Sequence, residues 1–504
     1  MSEKRGKMKK FTLWALILAM LVPMAAACSS GDNNAAVDTT AAADETTAAE
    51  TTHEPTDDEL FDSAKKAMPK VDYKGYEFRF LDRQDANGNW TTHDVYAEKE
   101  TGDVINDAVF KRNMALEENF NIKITERKIE PYSKVSSTAA TEILSGDETF
   151  DVLTDGLNMI TTSLATPGYL IDFNEVPEID LTKPYWDQMM TESMTIKGKT
   201  YFATGDISTM DNQGTWAVLF NKKFIDDFKL EDPYENVDNG TWTLDMFYDM
   251  AKAVTRDVNG DGVLDLNDQW GYLGENANSF LFWLATGERL TKMNDEGVPE
   301  LCMYNDRAVS VVEKVQKIQL DDTMCISNAV TGNTMAVLNN KFFEGDALFI
   351  YGGMMLISFF RSSDVDFGIA PAPKFDEAQD QYYSSYSYSN TTAYVIPITA
   401  SDTSRTGNVL EQMAILSQYT LTPAYIDVSL ESKFLRDEKS AEMIDLILNT
   451  RNFDIGAIYD WGTIRSMFYN VLFKNKSTDF ASAYAAIETN AKAAIAAYVD
   501  KLPD

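Results

Sequence analysis

The chain has 504 residues, with 79 acidic against 44 basic side chains and a formal charge of −35. That balance argues against nucleic acid as a partner, because phosphate binding needs basic surface to release counterions. Two histidines and three cysteines leave almost no material for a histidine-based triad, a zinc centre or a disulfide framework.

The N-terminal residues include Lys4, Arg5, Lys7, Lys9 and Lys10, followed by an apolar stretch over 11–24 and the run Ala25-Ala26-Ala27-Cys28. This is the layout of an export signal over 1–27, too short to span a bilayer as a mature helix. Cys28, followed by Ser29, Ser30 and Gly31, resembles the lipobox of bacterial lipoproteins, although Ala25 stands where that motif usually has Leu. The resemblance implies acylation of Cys28 and attachment to the outer face of the cell membrane. Residues 28–57 are mostly Ala, Thr, Asp and Glu without Lys or Arg, and cannot bury enough surface to offset their ordering entropy. They predict an acidic, disordered tether.

The body from residue 58 is too long for one ordinary core and suggests two lobes. Residues 76–81 alternate as a first strand, and 104–120 have helical spacing with Ile105, Val109, Met114 and Leu116 for a core face. Residues 121–124 and 150–154 predict a second and a third strand, so the order implies an open parallel α/β sheet with a cleft beyond its C-terminal strand ends. That places the loops 82–90 and 155–158 near a cleft. Residues 216–220 form an apolar run fit for a buried strand, and 222–228 a helix. Thr243 is an N-cap for a helix reaching Arg256, with Trp242 and Phe247 spaced as a hydrophobic staple. Residues 347–351 predict a strand ending at Gly352-Gly353, 366–371 an extended segment, and the chain after Ser440 mostly helix. Cys302 and Cys325 are read as two thiols, with a single bond as the alternative.

Residues 257–268, Asp-Val-Asn-Gly-Asp-Gly-Val-Leu-Asp-Leu-Asn-Asp, fit a calcium loop of the EF-hand type. Asp257, Asn259, Asp261, Asp265 and Asp268 offer side-chain oxygens, Val263 its carbonyl, and Gly262 the sharp turn. Asp268 replaces the usual glutamate. Hard oxygen donors point to Ca2+ as a structural clamp, and the bland alternative is an ion-free acidic turn.

The segment order resembles the extracellular solute-binding proteins of bacterial ABC importers, in their carbohydrate group. The residues carrying it are the runs 100–109 (ETGDVINDAV), 168–174 (GYLIDFN), 199–206 (KTYFATGD), 218–222 (VLFNK), 343–349 (FEGDALF) and 367–373 (FGIAPAP). The resemblance implies an α/β, two-lobed periplasmic-binding-protein-like (type II) fold with hinge crossovers near 208–220 and 367–373. It assigns 58–209 and 369–430 to lobe 1, and 210–368 and 431–504 to lobe 2. It also implies a monomer that carries a solute to the importer's permease subunits and performs no reaction.

Sugars present apolar faces rimmed by hydroxyls, so their sites combine aromatic platforms with carboxylate, amide and Arg partners. The candidates are Arg83, Trp90, Asp155 and Asp206 in the first lobe. In the second they are Asn278, Phe280, Trp283, Tyr351, Gly352 and Trp461. Asn278, Phe280 and Trp283 lie in a stretch that resembles the family's aromatic segment against the sugar, and Tyr351-Gly352 its strand-to-helix turn. Trp461 resembles its late tryptophan on the cleft rim. Core packing is the competing account of each aromatic, and Trp242 and Trp270 are assigned to packing outright. A secreted polysaccharide-active enzyme and a cell-surface adhesion protein remain alternatives.

Overall fold

The computed structural model describes residues 54–86, 90–332, 334–360, 363–430 and 438–503. The expected export signal, Cys28 and the expected tether up to residue 53 lie outside them. The chain divides at Asp62 into two units. In the first, Thr56 Oγ1 accepts from Glu59 N at 3.3 Å and Thr56 N donates back to the Glu59 carboxylate at 2.7 Å, a capping box that starts the helix Asp57–Ala67.

The second unit is built on two sheets. The first comprises β1 (Tyr76–Arg83), β2 (Ile122–Ile129), β3 (Val152–Gly156) and the late β11 (Thr392–Val395), in the order β11-β3-β1-β2. Its first three strands are parallel, as expected, whereas β11 adds antiparallel to β3. The second sheet holds β4 (Trp216–Asn221), β5 (Trp270–Gly274), β8 (Cys325–Ser327), β9 (Ala347–Gly353) and β10 (Phe367–Ala370), in the order β10-β4-β9-β5-β8. Between them in sequence, β6 (Thr291–Met293) and β7 (Pro299–Leu301) form a separate hairpin. Each sheet has its own core. Leu81, Leu153 and Val395 belong to one, and Leu219, Phe247, Tyr272, Phe282 and Phe349 to the other.

Local chemistry fixes the elements. Asp103 caps the helix Val104–Phe120 by accepting from Asn106 N at 2.9 Å, and Asn121 ends it in a left-handed conformation. That helix buries Val109, Leu116 and Phe120, but Met114 is 48% exposed. Five residues on from Val109, Met114 lies about 140° round the helix and faces water. Thr243 caps the helix Leu244–Val254, and the Trp242 and Phe247 rings meet edge-on at 6.0 Å. Trp242 and Trp270 are buried, donating to Pro371 O and Asp265 O at 2.9 and 2.7 Å. Cys302 and Cys325 are free thiols. Among the described residues no helix is long and apolar enough to cross a membrane.

Among the described residues, three segments that cross between the sheets lie side by side and are hydrogen-bonded. In the first, before β4, Gly214 O accepts from Ser387 N at 2.8 Å and Trp216 N donates to Ser385 O at 2.8 Å. The second therefore runs through 384–391, later than the expected 367–373, because β10 still pairs with β4 through Ala370. In the third, Thr450 O accepts from Ser384 N at 2.8 Å and Asn452 N donates to Ser384 O at 2.9 Å. The C-terminal helix Phe480–Val499 packs on both cores, with Phe480 and Ala491 in the second-sheet cluster and Ile495 and Tyr498 in the first.

Candidate functional site

A cavity of about 470 Å³ opens where the two lobes and a crossing segment meet. The loop after β1 supplies His93 and Tyr96, the start of the helix Val104–Phe120 supplies Asp103, Ile105 and Asn106, and the end of β2 supplies Lys128. Thr209 and Gln213 come from the first crossing, Met354, Met355 and Ser358 follow β9, and Tyr425 comes from the helix Leu421–Leu430. The volume suits a small solute, and apolar surface mixed with a few polar groups is the usual lining of such sites. A second cavity, of about 500 Å³, is lined only by residues between Thr463 and Ile487 and touches neither sheet's strand ends.

The loop that forms one wall is held from beneath. Thr92 N donates back to Arg83 O at 3.3 Å, closing the loop on the end of β1. The buried Arg112 guanidinium donates to Asp94 O at 2.7 Å, Val95 O at 3.3 Å, Ile207 O at 3.4 Å and Ser417 Oγ at 3.1 Å. The buried Asp94 carboxylate accepts from Ser208 Oγ at 2.9 Å and Thr209 N at 2.5 Å, tying the loop to the first crossing. Such a shell preorganises the wall and lowers the ordering cost of binding.

Lys128 is restrained as well. Its ammonium donates to Thr92 O at 2.7 Å and lies 3.3 Å from the Glu126 carboxylate. Glu126 in turn faces Asp82 across the β1 and β2 pair. Burial, with Glu126 alongside, pushes Asp82 well above the usual carboxylate range, and burial raises Glu126 too. Two buried carboxyls side by side cannot both ionise cheaply, so a proton is held more tightly at Asp82, while Lys128 beside Glu126 favours the charge there.

The ligand candidates expected from the sequence fall mostly inside the protein. Arg83 is fully buried at the end of β1, its Nε 3.4 Å from Asp155 Oδ1, and its guanidinium 4.8 Å from the Tyr132 ring centre. Asp155 ties β3 to the helix Val135–Ser145, accepting from Ser136 N and Oγ at 3.1 and 2.6 Å. Asn278 is buried, accepts from Tyr272 Oη at 2.8 Å and donates to Tyr351 O at 3.0 Å. Asp206 accepts from Thr422 Oγ1 at 2.6 Å, and Trp90 is half-buried.

The aromatics expected as open platforms are packed instead. Phe280 and Trp283 stack at 6.0 Å within the second-lobe core, and Phe468 closes on Trp283 at 4.8 Å. Tyr351 lies on Phe282 at 4.5 Å, and a side chain at Gly352 would strike Leu356 at 2.4 Å. Trp461 stacks on Tyr459 at 4.5 Å with Tyr498 beside it at 5.9 Å. The helix Asn278–Ala285 is apolar after Asn278 and Ser279 and buried throughout, so its aromatics have no open side to offer.

Several buried polar atoms at the C-terminal strand ends, or just beyond them, lack a hydrogen-bond partner among the described residues. They include Arg83 Nε and Nη2 after β1, Asn158 Oδ1 after β3 and Asn276 Oδ1 after β5. Near them in the second crossing, Tyr388 O accepts from Asn158 N at 3.0 Å, Tyr388 Oη lies 3.0 Å from Tyr469 Oη, and the Arg465 guanidinium sits 3.8 Å over the Tyr388 ring. Glu275, just beyond β5, is pushed up to about 7 by burial. None of Tyr388, Tyr469, Arg465 or the cavity residues His93, Tyr96 and Lys128 was singled out as a ligand candidate from sequence.

The acidic loop 257–268 stands on the surface, with Val258 and Val263 59% and 60% exposed. Gly262 takes the left-handed φ of +83° that the sharp turn needs. Asp257 accepts from Gly260 N and Gly262 N at 2.6 and 2.8 Å, Asn259 from Asp261 N at 2.8 Å, and Asp261 from Val263 N at 2.8 Å. Asp265 accepts from Asn267 N at 2.7 Å, while Asp268 is turned inward onto Val258 N and Asp265 N at 3.0 and 2.9 Å. Among the described residues no three His, Cys, Asp or Glu side chains converge to hold a metal.

Comparison with known proteins gives this geometry its context. The fold superposes on the sugar-binding protein MalE of Xanthomonas citri with a TM-score of 0.56 at 13% identity, over 84% of this chain and 98% of that one. An ABC substrate-binding protein from Listeria monocytogenes in complex with cycloalternan matches with a TM-score of 0.55 at 14% identity, over 83% and 99%. The maltose/maltodextrin-binding domain MalE of Bdellovibrio bacteriovorus, bound to maltotriose, matches with a TM-score of 0.52 at 16% identity, over 82% and 99%. At these identities the likeness establishes the fold, that of the type II periplasmic binding proteins. No curated protein matches at the level of sequence. A family model described as bacterial extracellular solute-binding protein matches residues 112–413, well over half of the chain, and the chain belongs to that family.

Proposed function

We propose that this chain captures a sugar or oligosaccharide outside the cytoplasmic membrane and delivers it to the permease subunits of an ABC importer, held to the membrane by an acylated Cys28. The observation that carries this is the cavity between the lobes, walled by Tyr96 and Tyr425, by the polar Asn106, Gln213 and Ser358, and by the apolar Met354 and Met355. Aromatic, amide and hydroxyl groups meet there as a sugar's faces and hydroxyls require. The sugars bound by the structural neighbours support the choice of ligand class. Capture without turnover is the reading for a fold whose lobes are joined by adjacent crossing segments that can bend.

Thermal-shift titration of maltodextrins, cyclic glucans and a panel of peptides tests the class, since a ligand that binds only the folded form raises the melting temperature. The expected result is a shift with one group of sugars, with the sugar recovered intact. Tyr96→Ala and Lys128→Ala should each weaken that sugar's binding by about five- to thirty-fold, which is about 1–2 kcal/mol, with no loss of cooperative melting. A peptide that shifts the melt where no sugar does, or a sugar that is cleaved, would overturn the proposal.

We also propose that the loop 257–268 takes Ca2+. Its donors are of the hard oxygen type, and Asp257, Asn259 and Asp261, which accept from backbone N–H groups of the loop, would have to draw inward to reach an ion. Calcium is expected to raise the melting temperature and a chelator to reverse it, while Asp257→Ala with Asp261→Ala abolishes the response. Identical melts with and without calcium would make the loop an ordinary acidic turn.

A further inference from the structure

The first and third crossing segments meet the first lobe at one buried cation. Arg451, in the third crossing, places Nη2 2.6 Å from Asp187 Oδ2 and Nη1 3.2 Å from Asp211 Oδ2, and Nη1 also donates to Asn212 Oδ1 at 3.1 Å. The side chains of Asp187 and Asp211 are 1% exposed and that of Arg451 is 9% exposed. Asp187 belongs to the first lobe, where its other oxygen caps the helix Gln188–Met194 by accepting from Met190 N at 2.9 Å. Asp211 and Asn212 belong to the short helix Met210–Gln213 of the first crossing. One guanidinium therefore holds a lobe and two of the segments about which the lobes must turn.

The same helix forms the wall of the cavity. Gln213 and Thr209 line it and bond to each other, Gln213 Nε2 donating to Thr209 Oγ1 at 3.0 Å. Tyr425, another lining residue, lies close enough to act on the Arg451 charge. We infer that Arg451 is a positioning residue: by tying Asp187 of the first lobe to Asp211 of the first crossing, it sets both the angle between the lobes and the placement of the Gln213 wall.

Two carboxylates share this one cation in a buried site, so the cluster carries an excess negative charge whenever both ionise. Burial pushes Asp211 up to about 7, with Arg451 opposing and Asp187 reinforcing the rise. The charged and titratable groups facing it are thus Arg451 and Asp187, with Tyr425 beyond the arginine. Asp211 therefore takes up a proton more readily than an ordinary carboxyl, and as pH falls its pairing with Arg451 weakens relative to that of Asp187. If this pairing sets the lobe angle, that angle should respond to pH.

The test is a distance measurement between the lobes of the full chain. Nitroxides at Leu144→Cys and Val337→Cys, exposed positions near the first and second sheets respectively, report the interlobe distance by pulsed electron resonance. Cys28→Ser, Cys302→Ser and Cys325→Ala remove the competing thiols. The expected result, without any sugar, is a distance distribution that shifts between pH 6 and pH 8 in the parent, and that Asp211→Asn makes independent of pH. Arg451→Lys, which keeps the charge but not the fork, should shift the distribution at every pH. Arg451→Lys needs to fold for its arm to count, and Asp211→Asn, nearly isosteric, decides the question alone if it does not. A pH-independent distribution in the parent, or an Asp211→Asn variant that titrates as the parent does, would overturn the inference, whatever either variant does to the melting temperature.

Discussion

Trp283→Ala is expected to cost about 3–5 kcal/mol of stability, the usual loss for emptying a buried aromatic site. The indole is wholly enclosed, stacked on Phe280 at 6.0 Å and covered by Phe468 at 4.8 Å. Phe468 belongs to the C-terminal part of the chain, so the cavity left by the indole also loosens the docking of that part onto the helix Asn278–Ala285. Because Trp283 Nε1 has no hydrogen-bond partner among the described residues, Trp283→Phe loses area but no polar contact there and should recover most of the deficit. Urea unfolding checks this, with a lower midpoint and an unchanged slope expected for the Ala variant. If Trp283→Ala instead unfolds at the parent's midpoint and only sugar affinity falls, the residue is a binding platform and the core assignment is wrong.

The contrast between what the sequence predicted at Trp283 and what surrounds it is instructive. The parallel strands of the first sheet, the cap at Thr243, the packed Trp242 and the free thiols were legible because each rests on a local signal, a period, a cap or a count. The cleft walls were not. Residues 121–124 read as the second strand, yet β2 runs through the polar Thr125-Glu126-Arg127-Lys128 to Ile129 as an edge strand. That shortening hid Lys128, which stands at the strand end where a cleft is expected. His93 and Tyr96 lie just beyond the loop 82–90 to which the cleft was assigned, and nothing in their spacing shows that Arg112 draws this stretch against the first crossing. The aromatics of 278–283 misled for the opposite reason, since a mostly apolar helix reads equally well as a platform or as a core, and only its neighbours decide.

The same neighbours link stability to function. Asp94, Arg112 and the Asp82 and Glu126 pair all lie behind the wall that carries His93, Tyr96 and Lys128. Each is a buried polar group whose partners fix one position of that wall, so their worth lies in holding the site ready as much as in net stability.

Arg83→Ala is expected to cost about 3–5 kcal/mol, because it leaves Asp155 buried without its cation. Burial already raises Asp155, and Arg83 is the foremost influence lowering it again. Without the guanidinium the folded state holds the Asp155 proton to higher pH than the unfolded chain does. A carboxyl raised in this way contributes stability below its unfolded value and loses it as pH rises. The variant should therefore be most impaired at alkaline pH and approach the parent as pH falls. Arg83→Met combined with Asp155→Asn removes both charges and keeps an oxygen to accept from Ser136 N and Oγ, which the carboxylate now does at 3.1 and 2.6 Å. This double variant should regain most of the lost stability. Among the described residues Arg83 Nε and Nη2 have no hydrogen-bond partner, so the double variant also separates two roles: a fold that recovers while sugar affinity stays at least tenfold down gives Arg83 a contact with the solute. Recovery of both would make it purely structural, and a double variant no more stable than Arg83→Ala would show that charge compensation is not what holds the end of β1.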